Sequence, residues 1–369
     1  MIFPNVWSED LISIDVETNA TEWWLPSVKI FGVAVATRTE EFYFDVRKHP
    51  HTFAWLQDGL RGFRGRVVNH AIKFDVHMLA KEGVDFLALD TTYECTMVRA
   101  ALINEHQRTW NLDDIALESI GQRKVDPYSE LAEIFGGKPT RAAQIGNLVN
   151  APEELVARYA KKDPRLALDL WLWQEGEIKR QGLERIVDFE RLVTPVIQDL
   201  ERGGVRVDPE LAERSEYDLS VIIDRKTEEL CKEAGFRVNP NPSGSIHKLF
   251  NPQYDKGRGV WVSRDGTLLS STGAGKPSID ADALRRMTDP CAERILELRK
   301  LLKCRDTFIR KHILERQYNG RVYPNINQCV GEDGGTVTGR LSYTSPALQQ
   351  IPARDEEIKS KTRVLFLPE

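Results

Sequence analysis

The 369-residue sequence is poor in the features that mark secreted, disulfide-bonded or membrane-spanning proteins. It has five cysteines, and none of them forms a Cys-x-x-Cys pair, so neither a disulfide framework nor a cysteine zinc site is indicated. No apolar run approaches the roughly 18 residues that a membrane span needs, and the first residues lack the basic and apolar stretches of a secretory signal. We therefore expect a cytoplasmic chain with no membrane partner.

The overall charge is weakly acidic, but it is unevenly distributed. The net charge is −5; residues 1–187 carry 22 basic and 28 acidic side chains, whereas residues 285–322 carry 11 basic and 5 acidic ones. An acidic first part and a later basic band fit a protein that holds cations in one region and contacts phosphates in another. Two solvated surfaces of unlike charge would give the same counts, so charge alone leaves both interpretations open.

Carboxylates in the first half of the chain occur in a pattern that suits metal binding. Residues 11–17 alternate at the strand period, which places Asp15 and Glu17 on one face of a strand. Asp75 begins a predicted helix after another strand, and Tyr159 and Asp163 lie one helical turn apart. Each piece alone is common on protein surfaces. Together, four carboxylates can converge on two magnesium or manganese ions that activate a water for phosphodiester hydrolysis, with the Tyr159 hydroxyl orienting that water.

These residues resemble the three motifs of the 3′–5′ exonucleases that use four acidic residues and a tyrosine. The motifs here are Asp15-x-Glu17, Lys73-Phe74-Asp75 and Tyr159-x-x-x-Asp163. The resemblance implies an α/β, ribonuclease H-like exonuclease domain over residues 1–187. It also implies two bound Mg²⁺ or Mn²⁺ ions held by Asp15, Glu17, Asp75 and Asp163.

Two positions depart from the pattern of that family. The family usually has asparagine four residues before the third acid, where this chain has Ala71, with Asn69 and His70 just upstream. Pro164 directly follows Asp163, and a proline there favours a helix boundary at which Asp163 would be an N-cap rather than a ligand.

The second half resembles the thumb and the start of the palm of family A DNA polymerases of the bacteriophage type. Residues 336–342 read Thr-Val-Thr-Gly-Arg-Leu-Ser, residues 346–354 read Pro-Ala-Leu-Gln-Gln-Ile-Pro-Ala-Arg, and residues 201–208 are similar to the beginning of that family's thumb. The resemblance implies a mainly α thumb over residues 188–320, with an irregular insert at 255–280, and an incomplete palm over 321–369. It places Arg340 in the DNA minor groove, where acceptors are present in every base pair.

DNA contacts are expected at two further places in this half. A long helix beginning at Pro290 and ending near Gly320 carries lysines and arginines along roughly 43 Å, enough to follow about one turn of duplex. The residues expected to contact DNA are Lys300, Lys303, Lys311, Thr338, Arg340, Gln349, Arg354 and Arg363.

The sequence therefore predicts the N-terminal portion of a replicative family A polymerase with a proofreading exonuclease. The polymerase metal carboxylates of that family have no counterpart in these 369 residues, so we expect no nucleotide addition by this chain alone. A second polypeptide with the remaining palm and fingers is the expected protein partner, and primer–template and a single-stranded 3′ end are the expected DNA partners. Two alternatives stay open: a free-standing DNA or RNA exonuclease, and a non-catalytic DNA-clamping subunit.

Overall fold

The computed structural model of the chain describes residues 3–124, 126–241, 244–332, 334–353 and 355–368. The chain divides into two compact units: the first comprises Met1–Gly204 and Tyr323–Ser345, the second Val205–Val322 and Pro346–Glu369. These units do not follow the expected borders at 187 and 320, and the assignment of exonuclease, thumb and palm segments stays a prediction. Within the described ranges, no helix has the length and apolar character that crossing a membrane requires.

A five-stranded mixed sheet with the order β3-β2-β1-β4-β5 forms the centre of the first unit. Strand β2 is antiparallel to β1 and β3, whereas β4 is parallel to both β1 and β5. The strands are β1 (Leu11–Thr18), β2 (Ile30–Ala36), β3 (Glu41–Asp45), β4 (Arg66–Asn69) and β5 (Tyr93–Cys95). Strand β1 confirms the strand that the alternation of residues 11–17 predicts.

Helices pack around this sheet, and a short two-stranded pair from the later segment completes the first unit. The helices are α1 (Thr52–Gly62), α2 (Lys73–Lys81), α3 (Thr96–Ile103), α4 (Leu112–Ile120), α5 (Tyr128–Phe135), α6 (Arg141–Gln144), α7 (Glu153–Ala160), α8 (Lys162–Gln181) and α9 (Glu184–Gly203). The pair consists of β11 (Asn325–Asn327) and β12 (Ser342–Thr344), which are antiparallel.

Strand β1 is covered on both of its faces. Ile12, Ile14 and Val16 are buried in the larger apolar core of the unit. On the opposite face, Leu11 packs in a cluster with Leu168 and Trp171, which belong to α8. The face that carries Asp15 and Glu17 is therefore covered by a helix at its start, and the two carboxylates lie further along the same strand.

Helix α9 buries several polar side chains, together with Val187 and Ile197, and exposes an apolar face. Gln328 Nε2 donates to Glu190 Oε2 at 2.8 Å, Tyr93 donates to Gln198 at 2.5 Å, and Glu201 is buried. The exposed apolar residues are Phe189, Leu192, Val196 and Leu200, at 58%, 62%, 60% and 51%. Their spacing predicts that they share one helical face, and they do. That face is exposed to solvent because the polar side chains of the helix find their hydrogen-bond partners within the unit.

The second unit is mainly helical, with short strands. Its helices are α10 (Pro209–Ala234), α11 (Gly244–Phe250), α12 (Ala281–Arg286), α13 (Pro290–Lys303) and α14 (Glu356–Thr362), and its strands are β6 (Val205–Arg206), β7 (Gln253–Asp255), β8 (Val260–Val262), β9 (Leu268–Leu269) and β10 (Arg321–Val322). Asp208 caps α10 by accepting from Leu211 N at 2.9 Å, and Gly235 ends it at φ 74°, as the sequence predicts. The expected irregular insert contains the antiparallel strands β7, β8 and β9.

The expected single long helix after Asp289 changes its winding part of the way along. Helix α13 ends at Lys303, and residues Cys304–Leu314 continue with the wider turns of a π-helix. Cys304, Ile309 and Ile313 belong to the apolar core of the unit, and Phe308 is buried as well. The wider turns keep these side chains in the core of the unit, so the α-helical part is about 21 Å long rather than 43 Å.

Candidate active site

Three elements of the first unit bring Asp15 and Asp75 together. Asp15 lies on β1, Asp75 lies in the first turn of α2, and Asn69 ends β4, which is the neighbour of β1 in the sheet. Asn69 Nδ2 donates to Asp15 Oδ1 and to Asp75 Oδ2, both at 2.9 Å. The backbone N–H of Val16 donates to Asp75 Oδ1 at 3.0 Å. The helix carboxylate is thus fixed directly against the strand that carries Asp15.

The departure at Ala71 has a local structural consequence. Ala71 has φ 53°, in the left-handed region, at the turn between β4 and α2. Asn69, two residues earlier, supplies an amide to the carboxylates. His70 does not join them: its Nδ1 lies 2.9 Å from Thr96 Oγ1, and its Nε2 lies 2.7 Å from the Trp110 carbonyl oxygen.

Tyr159 and Asp163 lie on either side of a helix junction. Helix α7 ends at Ala160 and α8 begins at Lys162, and Lys161 between them keeps right-handed helical angles. Pro164 has no N–H to donate back to the Ala160 carbonyl, which accounts for the break. The N-cap is Lys161, so Asp163 lies in the first helical turn and its carboxylate is not used as a cap.

The carboxylates raise one another's pKa values. Burial raises the pKa of Asp15 to about 7, with the charge of Asp163 adding to the shift. Burial and then Asp15 hold the pKa of Glu17 well above its ordinary value, and the same two causes act on the pKa of Asp75. Burial also raises the pKa of Asp163. Like charges confined in a buried site have this effect, and they are stabilised when a cation enters.

A lysine that sequence reasoning missed reaches this group. Lys124 Nζ lies 3.1 Å from Asp163 Oδ1 and donates to Asp163 Oδ2 at 3.2 Å. The same nitrogen lies 5.5 Å from the centroid of the Tyr159 ring. Lys124 belongs to the segment between α4 and α5, and its backbone N–H donates to Asp113 Oδ1 at 3.0 Å. No motif marks a lysine in a connecting segment, so the sequence carries no signal for this contact.

The donor set suits divalent cations. Asp15, Glu17, Asp75 and Asp163 supply only oxygen ligands, which hard cations such as Mg²⁺ prefer. Asp163 Oδ1 is buried and accepts no hydrogen bond, since its approach to Lys124 lacks hydrogen-bond geometry. Across the described residues, no three His, Cys, Asp or Glu side chains are gathered as closely as a bound ion would hold them. The chemistry of the residues fits the cations, and their present positions are set by Asn69 and Lys124.

Tyr159 is buried beside the carboxylates. Its ring packs in a cluster with Phe31, Leu131 and Leu155. Burial, and then the charges of Asp163 and Glu17, raise the pKa of its hydroxyl far above the ordinary value for tyrosine. The hydroxyl therefore keeps its proton at neutral pH, so it can donate a hydrogen bond but cannot act as a base.

The candidate DNA-contacting residues of the first unit lie in an exposed loop before β12. Thr338 and Arg340 are exposed, and Gly339 between them has φ 71°. Thr336 Oγ1 donates to the Arg340 carbonyl oxygen at 2.9 Å and receives the Thr338 hydroxyl at 3.2 Å. These bonds fold the loop into a turn whose arginine side chain faces solvent.

In the second unit, most cations of the basic band already have acidic or carbonyl partners. Lys300 Nζ lies 2.6 Å from Asp355 Oδ2, Arg294 pairs with Glu233 at 2.9 Å, and Arg299 donates to the Pro240 carbonyl at 2.7 Å. Lys303 and Lys311 are exposed, as are Gln349 and Arg363. Arg354 lies outside the described residues.

Comparison with known proteins identifies the family. Residues 211–369 match the family model described as DNA polymerase family A. The chain is 48% identical over 379 residues to the DNA polymerase DpoZ of Acinetobacter phage SH-Ab 15497, covering 100% of this chain and 60% of that protein. It is 44% identical over 377 residues to the DpoZ of Vibrio phage phiVC8, covering 99% of this chain and 58% of that protein.

The fold has a counterpart among solved structures. The POL domain of Pol1 from M. smegmatis, in complex with DNA primer–template and dNTP, superimposes with a TM-score of 0.69 at 20% identity, covering 99% of this chain and 56% of that one. Residues 211–369 thus belong to DNA polymerase family A, and the whole chain is similar to the phage DNA polymerases. It spans about 60% of the length of the phage relatives it matches.

Proposed function

We propose that the first unit is a metal-dependent 3′–5′ exonuclease with a ribonuclease H-like fold, and that it proofreads for a DNA-directed DNA polymerase in DNA replication. The observation that carries this proposal is that Asn69 joins the carboxylates of Asp15 on β1 and Asp75 on α2, with Asp163 in the first turn of α8 raising the pKa of Asp15. The mixed sheet with β2 antiparallel to its neighbours supports the fold assignment. Membership of family A supports the polymerase context.

The proposed roles of the residues follow from their positions. Asp15, Glu17, Asp75 and Asp163 would hold two Mg²⁺ or Mn²⁺ ions, which when bound activate a water and stabilise the leaving oxygen. Asn69 fixes the orientation of two of these carboxylates. Tyr159 would donate a hydrogen bond from its hydroxyl to the attacking water and so orient it, because its high pKa keeps it protonated.

Replacing Asp15 tests this site. Loss of one of the carboxylates that would hold the cations removes several kcal/mol of transition-state stabilisation, which is roughly a thousandfold in rate. We expect Asp15→Ala to lose that much single-strand degradation while binding single-stranded DNA without metal as the wild type does. Asp169→Asn is the control, since Asp169 is a carboxylate of α8 outside the proposed metal-binding set and pairs with Arg165 at 2.5 Å. Retention of more than about a tenth of the activity by Asp15→Ala would contradict the site.

We further propose that the chain binds primer–template DNA. Support comes from the exposed Arg340 and Thr338, from the exposed Lys303 and Lys311, and from the family match over residues 211–369. Arg340 would read base-pair geometry in the minor groove with little sequence preference, whereas the lysines would contact phosphates. The solved polymerase with the same fold holds DNA primer–template, in agreement with this assignment.

We also propose a protein partner that carries polymerase palm and fingers segments and binds the exposed apolar face of α9. That face presents four large apolar side chains, each more than half exposed, along one side of a 20-residue helix. Such a face is normally covered by protein.

A further inference from the structure

Lys124 lies where a cation would be expected among the carboxylates. Its ammonium nitrogen approaches both oxygens of Asp163, at 3.1 and 3.2 Å. Its side chain is 21% exposed and that of Asp163 is 17% exposed, so the pair is largely shielded from water. Its charge also reaches Asp15 and Glu17, lowering the pKa of each against the larger effect of burial. In the part of the chain described here, no other lysine or arginine pairs with these four carboxylates.

We propose that Lys124 is the built-in counter-ion of the acidic site and that it competes with a divalent cation for Asp163. This inference rests on the proposed function, because it takes Asp163 as a metal ligand. With the cation absent, the ammonium group offsets the repulsion among the carboxylates. With the cation bound to Asp163, the ammonium group must leave, because two cations cannot share the same oxygens at these distances.

The anchoring of Lys124 makes such an exchange possible without unfolding the segment. Its backbone N–H is held by Asp113 Oδ1 at 3.0 Å, and the neighbouring Arg123 pairs with Asp114 at 3.2 Å. The backbone is therefore fixed on α4, while the long side chain can rotate away from Asp163 toward solvent. Lys124 could act as a counter-ion or could only fill space. Lys124→Met keeps a side chain of similar length but removes the charge, so it separates these two roles.

Binding of Mn²⁺ to the full chain without DNA tests the proposal, with free Mn²⁺ measured by electron paramagnetic resonance. We expect Lys124→Met to bind Mn²⁺ more tightly than the wild type, on the order of tenfold, which is the scale at which residues around a metal change its affinity. Lys124→Arg should bind it more weakly, because a guanidinium group holds a carboxylate by two hydrogen bonds. Lys162→Met is the control, since Lys162 directly precedes Asp163 but faces Glu41 at 3.7 Å.

Thermal unfolding in EDTA provides the second readout. Removing the counter-ion should lower the unfolding temperature of Lys124→Met in EDTA, and Mn²⁺ should raise it by more than in the wild type. If wild-type binding is abolished by Asp15→Ala but Lys124→Met and Lys124→Arg bind Mn²⁺ as the wild type does, the competition is wrong and the metal site stands. If the wild type binds no Mn²⁺ that depends on Asp15, the proposed exonuclease site itself is wrong.

Discussion

Asn69 supplies an amide to the carboxylates from a position two residues before the one at which the motif has its asparagine. The motif comparison finds Ala71 where an asparagine is usual, yet Asn69 donates to both Asp15 and Asp75 at 2.9 Å. The role of Asn69 was predictable from the sequence, because it lies two residues before Ala71. The contact of Lys124 with Asp163 was not, because a connecting segment carries no periodic pattern that would place its side chains.

Tyr159→Phe separates positioning of water from packing. The phenylalanine ring keeps the contacts with Phe31 and Leu131 and removes only the hydroxyl. We expect turnover on single-stranded DNA to fall by about 10- to 100-fold, the scale of a lost orienting hydrogen bond, with unchanged DNA affinity. The measurement is single-turnover degradation together with fluorescence anisotropy. An equal loss of affinity would show that the hydroxyl acts in packing or substrate binding instead.

His70 gives the first unit a dependence on pH. Burial lowers the pKa of His70 from 6.5 to about 4. The ring is neutral with its hydrogen on Nε2, because the Trp110 carbonyl can only accept. Between pH 4 and pH 6.5, His70 therefore binds a proton in the unfolded chain but not in the folded chain. Stability is therefore complete above about pH 6.5 and falls as the pH drops toward 4, by roughly 2 to 3 kcal/mol.

The variant His70→Gln checks this dependence, since glutamine keeps an amide donor for Trp110 and does not titrate. Urea unfolding followed by tryptophan fluorescence reports mainly on the first unit, which contains seven of the eight tryptophans. We expect wild type to lose about 2 to 3 kcal/mol more than His70→Gln between pH 7.5 and pH 4.5. Equal losses would mean that His70 is protonated in the folded state.

At the scale of elements, the positions of helices and strands could be predicted from the sequence. Which face of a helix is buried and which is exposed could not. Strand β1 and helix α10 follow from alternation and capping residues that act locally. Helix α9 has the expected apolar face, but Glu190, Gln198 and Glu201 are the residues buried, because each has partners far away in the sequence. The winding of Cys304–Leu314 is set by core packing, which a 3.6-residue pattern does not capture.

The basic band predicts that the affinity for duplex DNA falls as the salt concentration rises. The dependence on salt should be weaker than the number of basic residues in the band suggests. Lys300 is paired with Asp355, which leaves Lys303 and Lys311 exposed as the better candidates for phosphate contacts. Each phosphate contact adds about 0.9 to the log–log salt slope. We expect Lys303→Glu with Lys311→Glu to weaken duplex binding and to flatten the slope by up to about two.

Duplex binding at increasing salt concentration can be measured by fluorescence anisotropy, with two controls. Lys232→Glu changes charge on α10, outside the predicted band, and should leave the slope unchanged. Degradation of short single strands should also change little in the double variant. An unchanged slope in that variant would assign duplex binding to other residues.

At the scale of the whole molecule, substitutions on the exposed face of α9 test whether the expected protein partner binds there. We expect a polypeptide that carries polymerase palm and fingers segments to bind this helix and to extend a primer together with the chain. Leu192→Asp with Val196→Asp charges the exposed face and should disrupt this association, whereas Asp188→Asn on the same helix should not. Co-purification followed by primer extension is the measurement. Association unaffected by the two aspartates would remove α9 from the interface.

The central claim is a metal-dependent hydrolysis that starts at the 3′ end, and the direction of degradation tests it most directly. One single-stranded DNA is labelled at its 5′ end, and the same strand is labelled at its 3′ end. With Mg²⁺, the account predicts a ladder that shortens nucleotide by nucleotide from the 5′-labelled strand, immediate release of labelled mononucleotide from the 3′-labelled strand, and neither product in EDTA. Intact strands with both Mg²⁺ and Mn²⁺, or release of mononucleotide from the 5′ label first, would contradict it.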